Sequence, residues 1–291
     1  MEIKIIVENT AYKKYFAQHG LSILIKSDDK KILFDAGQNP YILKKNMELL
    51  NENSNFDGII ISHGHYDHTD GLGYIIKNIN TNKNNNIPIY AHPDAFLERY
   101  SCNGGYIGID GDIKKFLKNY DYLNLIEKPY HDKNNNLIIS GKVERNNYFE
   151  PEIFYKLKEE NIKTRIEKTW SSQKDAKIQN IAENPNFEID SVYDDMFIVM
   201  DDVIITGCSH SGIINIVEYA KKINKNKIRG IIGGFHLITA SQNHIQTVYE
   251  YFENSDIEFI MPMHCTGFKA LKKLSELDNF IYGHVGKILE L

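Results

Sequence analysis

Within six consecutive positions, His63-Gly-His-Tyr-Asp-His68, this chain places four side chains of metal-ligating type. Neutral imidazole and carboxylate bind borderline and hard divalent cations. His63 and His65 stand two apart, so an extended loop points both the same way. Asp67 and His68 then turn toward a second position. Four ligands this close do not crowd comfortably around one ion; they suit two neighbouring ions, each completed by distant residues. A single histidine is usually just a polar residue in a turn. Four such residues at this spacing, directly after a buried strand, fit metal binding better.

The elements around the loop must hold it rigidly. Asp57-Gly-Ile-Ile-Ile-Ser62 is an uninterrupted β-branched run and reads as a buried strand leading into the motif. Gly71 opens a helix behind it. Upstream, 20–26 and 31–35 form a hairpin, 40–51 has helical spacing, and 87–92 is another strand. Residues 95–185 differ in texture: a glycine-rich stretch at 103–111, two amphipathic patterns (112–120 and 151–168) and Trp170. They are read as an insertion or cap within a single domain spanning 1–291. From Asp190 the regular pattern returns, with a hairpin at 196–206, helices at 213–223 and 241–252, and strands at 228–232 and 257–261. Three of these second-half strands end in a loop bearing histidine: Gly207-Cys-Ser-His210, Gly233-Gly-Phe-His236 and Met263-His264-Cys-Thr266. Strand ends that deliver polar groups are how α/β layers build a site.

Composition narrows the setting. The net charge is −5 and no tight Lys/Arg block is present, which argues against a duplex nucleic-acid partner. No apolar stretch approaches the ~18–20 residues of a membrane span. The opening Met1–Thr10 lacks the apolar core of a signal peptide. The three cysteines, Cys102, Cys208 and Cys265, are too few and too odd for a disulfide framework. A cytoplasmic protein acting on a small, anionic molecule is expected.

These motifs, in this order, resemble the metallo-β-lactamase superfamily, whose signature is His-x-His-x-Asp-His after a buried strand. Gly20-Leu-Ser-Ile-Leu-Ile, Ile32-Leu-Phe-Asp-Ala-Gly37 and Ile59-Ile-Ile-Ser-His63 match it over the first half. Gly-Cys-Ser-His at 207–210, Gly-Gly-Phe-His-Leu at 233–237 and Pro-Met-His-Cys-Thr-Gly at 262–267 resemble a narrower branch, which includes the archaeal dihydropterin–aminobenzene-phosphate synthase. Ser140-Gly-Lys-Val-Glu-Arg145 looks like a degraded Thr-Gly-Glu-Ile-Pro-Arg element of that branch. The resemblance covers about 1–92 and 190–291 and implies an α/β fold, a four-layer αββα sandwich with the site at one edge.

The resemblance also implies a ligand set. His63, His65 and His264 match ligand positions, and Asp67 and His68 match those of the second metal. Cys208 stands where a bridging aspartate is usual, as a ligand or as a small buried thiol. His210 replaces a histidine that typical members carry before the hairpin. A thiolate ligand favours zinc, while an all-His/Asp site leaves iron or manganese open. By likeness to ribonuclease Z-like members, His236 is a proton donor or phosphate contact; the alternative is a structural histidine capping a strand. Cys265 reads as packing. Thr266 and Gly267 offer a hydroxyl and a backbone N–H to an anion, and His19 is a candidate pocket residue. His92, His131, His244 and His284 read as ordinary polar positions.

Two adjacent cations bridge a water, lower its pKa toward ~7 and stabilise charge developing on oxygen. Asp67 would orient that hydroxide or take its proton. The expected activity is therefore metal-dependent hydrolysis, with a phosphodiester or related small-molecule ester as substrate. A transferase of the dihydropteroate-synthase type, forming a pterin C–N bond, is the alternative; a non-catalytic metal- or ligand-binding protein is the third reading.

Overall fold

The computed structural model describes residues 1–27, 30–81, 86–132, 136–147, 149, 151–158 and 177–291. In chain order the first part runs β1 (Glu2–Val7), β2 (Ser22–Ser27), β3 (Lys30–Phe34), α1 (Pro40–Leu49), β4 (Gly58–Ile60), α2 (Tyr66–Thr69), α3 (Leu72–Thr81), β5 (Ile89–Ala91), β6 (Arg99–Ser101), α4 (Gly111–Lys118), β7 (Leu123–Leu125), β8 (Tyr130–Asp132), β9 (Leu137–Ile139) and β10 (Phe154–Leu157). The second runs β11 (Phe187–Asp190), β12 (Phe197–Met200), β13 (Val203–Thr206), α5 (Ile213–Ile223), β14 (Gly230–Gly234), α6 (Gln242–Glu253), β15 (Phe259–Met263), α7 (Phe268–Leu274) and β16 (Ile288–Glu290).

Two large sheets carry the fold, in strand orders β16-β1-β2-β3-β4-β5-β7 and β15-β14-β13-β12-β9-β8. Alternation along each strand decides what its faces bury. Ile23 and Ile25 of β2, and Ile32 and Phe34 of β3, pack against Ile198, Met200, Val203 and Ile205 of the opposite sheet. On its outer face the first sheet turns Leu24 and Leu33 toward Leu43 and Met47 of α1, Leu72 and Ile75 of α3 and Leu117 of α4. The second sheet likewise turns Phe197, Val199 and Ile204 toward Ile216 of α5, Val248 of α6 and Leu274 of α7. The result is helix, sheet, sheet, helix: four layers with three apolar seams, as the resemblance implies. Both faces of each central strand are buried, which is why these strands read as continuous apolar runs.

The hairpin read at 196–206 is β12–β13, closed by Asp201 and Asp202 with φ of 48° and 65°. Two left-handed residues make the turn that matches strand twist. The stretch 95–185 feeds three of the four layers. Its α4 covers the first sheet, β7 joins that sheet, and β8 and β9 join the second. Its β10 pairs with β6 on one side and with β11 on the other in a third, antiparallel sheet. The amphipathic pattern at 112–120 is α4, whereas the one at 151–168 contains the strand β10; residues 159–168 and Trp170 lie outside the described residues. Among the described residues no helix is long and apolar enough to cross a membrane.

Candidate metal centre

Four strand ends converge at one edge of the sandwich. β4 runs into Ser62 and His63, β13 into Cys208 and His210, β14 into His236, and β15 into His264. The motif loop is fixed from behind. Gly64 donates its N–H to Asp194 Oδ2 at 2.8 Å. A side chain on Gly64 would strike the Ala95 carbonyl oxygen, so this close passage needs glycine. α2 then turns Asp67 and His68 inward. Asp35, Ser209, His236 and His264 all adopt left-handed backbone, with φ of 57°, 63°, 50° and 52°.

Two groups of donor atoms result. In the first, His63 Nε2 lies 3.0 Å from His65 Nδ1 and 3.2 Å from His210 Nε2. In the second, His264 Nε2 lies 3.2 Å from both His68 Nε2 and Asp67 Oδ2, and His68 Nε2 is 3.7 Å from Asp67 Oδ2. Cys208 stands between them: its sulfur is 3.1 Å from His68 Nε2 and shares a donor cluster with His63 and His68. His19 Nε2 approaches Asp67 Oδ2 at 3.1 Å and completes a cluster with His264. All seven ligand residues named from the sequence are thus brought together, and His19 joins them.

Outer partners orient these rings. His68 Nδ1 faces Asp35 Oδ2 at 2.6 Å, and Asp35 also accepts from the Ser62 backbone N–H and hydroxyl, each at 2.7 Å. His63 Nδ1 meets the Ser62 hydroxyl at 2.9 Å. His264 Nδ1 meets Asn9 Oδ1 at 3.0 Å, and its backbone N–H donates to Glu8 Oε1 at 2.8 Å. Such contacts leave the opposite ring nitrogen aimed inward. Phe154 of β10 lays its ring against His65, His210 and His236, closing the site from the third sheet.

The electrostatics follow from burial. Burial, with His68 and His65 nearby, holds the His63 imidazole well below its ordinary pKa. Burial and the Arg99 charge bring His65 down to about 3, and burial with His236 beside it depresses His210. Burial opposes charge on His68 too, but Asp67 and Asp35 outweigh it and raise that group to about 9. Burial also opposes ionisation of Asp67, yet His68, His19 and His264 hold its carboxyl well below the usual range. Three neutral imidazoles and one carboxylate are the protonation states that metal ligands require.

The residues fit divalent ions. Atoms ~2.1 Å from one tetrahedral ion stand roughly 3.4 Å apart, close to the 3.0–3.2 Å spacings here.

His236 lies just beyond, its ring 4.2 Å from that of His210 and its Nε2 3.1 Å from Glu152 Oε2. Thr266 is spent internally: its hydroxyl donates to the Met263 carbonyl and accepts from the Phe235 N–H. His92 caps the turn at Pro93–Phe96, away from the centre. The sequence reading passed over Asp35, Ser62, Asn9 and Phe154. It also passed over Arg99, fully buried and paired with Asp190 at 2.5 Å and Asp194 at 2.5–2.6 Å. The available signal was the aspartate that follows the apolar strand β3, at Asp35.

Comparison with known proteins gives the same picture. A family model described as the metallo-beta-lactamase superfamily matches residues 16–101. The chain is 49% identical over 288 residues to an uncharacterized protein of Methanocaldococcus jannaschii, covering 99% of both. It is 34% identical over 291 residues to the 7,8-dihydropterin-6-methyl-4-(beta-D-ribofuranosyl)-aminobenzene-5'-phosphate synthase of the same organism, covering 95% of this chain and 91% of the synthase. Among solved structures, Tm1679, a metal-dependent hydrolase of the beta-lactamase superfamily, superposes with a TM-score of 0.78 at 24% identity, over 100% of this chain and 99% of that one. With the converging histidine loop, the four-layer sandwich and a relative alike over nearly its whole length, this chain belongs to the metallo-beta-lactamase superfamily.

Proposed function

We propose that the chain is a binuclear metal-dependent hydrolase acting on a small, anionic phosphoester. The observation that supports it most is that His63, His65 and His210 gather their donor atoms in one cluster and Asp67, His68 and His264 in another, with Cys208 in contact range of His63 and His68. We assign one ion to His63, His65 and His210 and the other to Asp67, His68 and His264, with Cys208 facing both. A thiol among imidazoles favours zinc, with iron and manganese as alternatives. When bound, such a pair supplies an acidified water and polarises a phosphoryl oxygen. The chain's own groups do the rest. Asp67 is placed to orient that water or hold its proton. His19, whose side chain is 52% exposed and touches Asp67, passes the proton to solvent. Asp35 and Asn9 fix the rings of His68 and His264, and Phe154 keeps bulk water from His65 and His210.

A second reading, transfer with pterin C–N bond formation, is favoured by the 34% identity to the synthase. Weighing against it, the organism that makes the synthase also makes the separate protein that is 49% identical to this chain. Protein loaded with zinc, manganese or iron decides between them. The hydrolase reading expects metal-dependent cleavage of bis(p-nitrophenyl) phosphate that falls by about 100-fold or more in His65→Ala and His210→Ala. C–N bond formation from a dihydropterin diphosphate and an aminobenzene acceptor, without diester cleavage, replaces it by the transfer reading.

A further inference from the structure

A third set of donors lies beside the two assigned positions. His236 follows β14, and Cys265 follows His264 after β15. Their ligand atoms and the Cys208 sulfur all lie within 4.8 Å of one another. Both cysteines are buried, and the Cys265 thiol reaches the Cys208 carbonyl at 3.4 Å. Both ring nitrogens of His236 are buried without a hydrogen bond, and Nε2 stands 3.1 Å from Glu152 Oε2. A carboxylate beside one nitrogen leaves the other free to ligate. Gly234 keeps room for the sulfur, because a side chain there would meet Cys265 Sγ at 2.6 Å. A cysteine that only packs behaves as a small hydrophobe among apolar neighbours. Two sulfurs gathered around an unpartnered imidazole nitrogen are a different environment.

We propose that Cys208, His236 and Cys265 form a third, sulfur-rich position that takes a thiophilic divalent ion such as zinc or cadmium, joined to the binuclear centre through the Cys208 sulfur. It rests on the binuclear reading only in sharing Cys208. Two thiolates and an imidazole are a zinc donor set, with Zn–S of ~2.3 Å and Zn–N of ~2.1 Å. Donors around one such ion stand roughly 3.5–3.8 Å apart, within the spacing observed. Loading releases the Cys208 and Cys265 thiol protons to solvent, and the sulfur lone pairs left on Cys208 serve the neighbouring ions. In this role His236 is a ligand, replacing the proton donor expected from the sequence.

The test uses the full chain in a Cys102→Ser background, since Cys102 is exposed. Zinc analysis after reconstitution should give about three equivalents, and about two when Cys265→Ser is added. Titration with cadmium should give sulfur-to-cadmium absorbance for two thiolates, halved by the same substitution. Two equivalents in both proteins, with Cys265 alkylated by iodoacetamide equally fast with and without zinc, overturns the third position and leaves the binuclear centre standing. No bound metal in either protein overturns both. Where Cys265→Ser does not fold, the cadmium absorbance of the parent decides alone, and a single-thiolate signal refutes the proposal.

Discussion

Asp35 stands outside the donor clusters, yet it binds the Ser62 backbone and hydroxyl and fixes the His68 ring through Nδ1. Asp35→Asn keeps the shape and loses the charge. It should weaken metal affinity by about 10–100-fold with little change in fold, as competition with a chelating dye would show. The titrations give a second test. His68 keeps its proton to about 9 in the metal-free chain, and a ligand imidazole must be neutral. Metal affinity should therefore rise by tenfold or more per pH unit below about pH 9, the buried Cys208 thiol adding its own proton to the slope; a flat profile contradicts the assignment of His68. His65 behaves in the opposite sense, with a pKa of about 3 when folded against ~6.5 in an unfolded chain. Between those values the unfolded state binds more protons, so the metal-free protein should lose stability as pH falls from 6.5 toward 3 in thermal melts. The residues that would carry this chemistry were legible because four donor types in one short loop are a rare pattern. Asp35, Asn9 and Phe154 were not, because each becomes a partner only through contacts distant in the chain.

Among the elements, the buried strands announced themselves as β-branched runs, and α1 and α4 as spaced apolar residues. The stretch around β10 did not. Phe154 and Leu157 sit three apart, which suits a helix face as well as a strand. Pairing with β6 and β11 decides in favour of the strand, and no local pattern encodes that pairing. The third sheet is tied to the motif loop through one buried guanidinium. Arg99 of β6 holds Asp190, at the end of β11, and Asp194, whose Oδ2 also accepts the Gly64 N–H. Arg99→Ala leaves two carboxylates buried and unpaired and should cost about 3–5 kcal/mol in urea unfolding. Zinc affinity should fall with it, because Gly64 loses its anchor; a variant with full stability and full metal binding contradicts this linkage.

Across the whole molecule, the motif loop belongs to the first sheet, while Cys208, His210 and His264 belong to the second. Ions held between them would cross-link the halves and bind only the folded chain. At a thousandfold excess over Kd such binding adds about 4 kcal/mol, a shift in Tm on the order of 10 °C. Chelation should lower Tm by that amount and zinc should restore it; equal melting curves contradict a centre shared by the two layers. The four-layer plan was readable from the order of strands and helices together with the motif spacing. How residues 95–185 divide among three sheets was not, since that depends on which edges stay open to pairing.

The left-handed conformations at Asp35, Ser209, His236 and His264 carry one more consequence. Each holds a non-glycine residue in a region costing on the order of 1–3 kcal/mol. Replacing Asp35, His236 or His264 by glycine would relax the main chain there while deleting a group the site uses. Selection for thermal resilience and selection for turnover therefore pull in opposite directions at these three codons, and a variant library screened for heat tolerance alone should drift toward inactive proteins there.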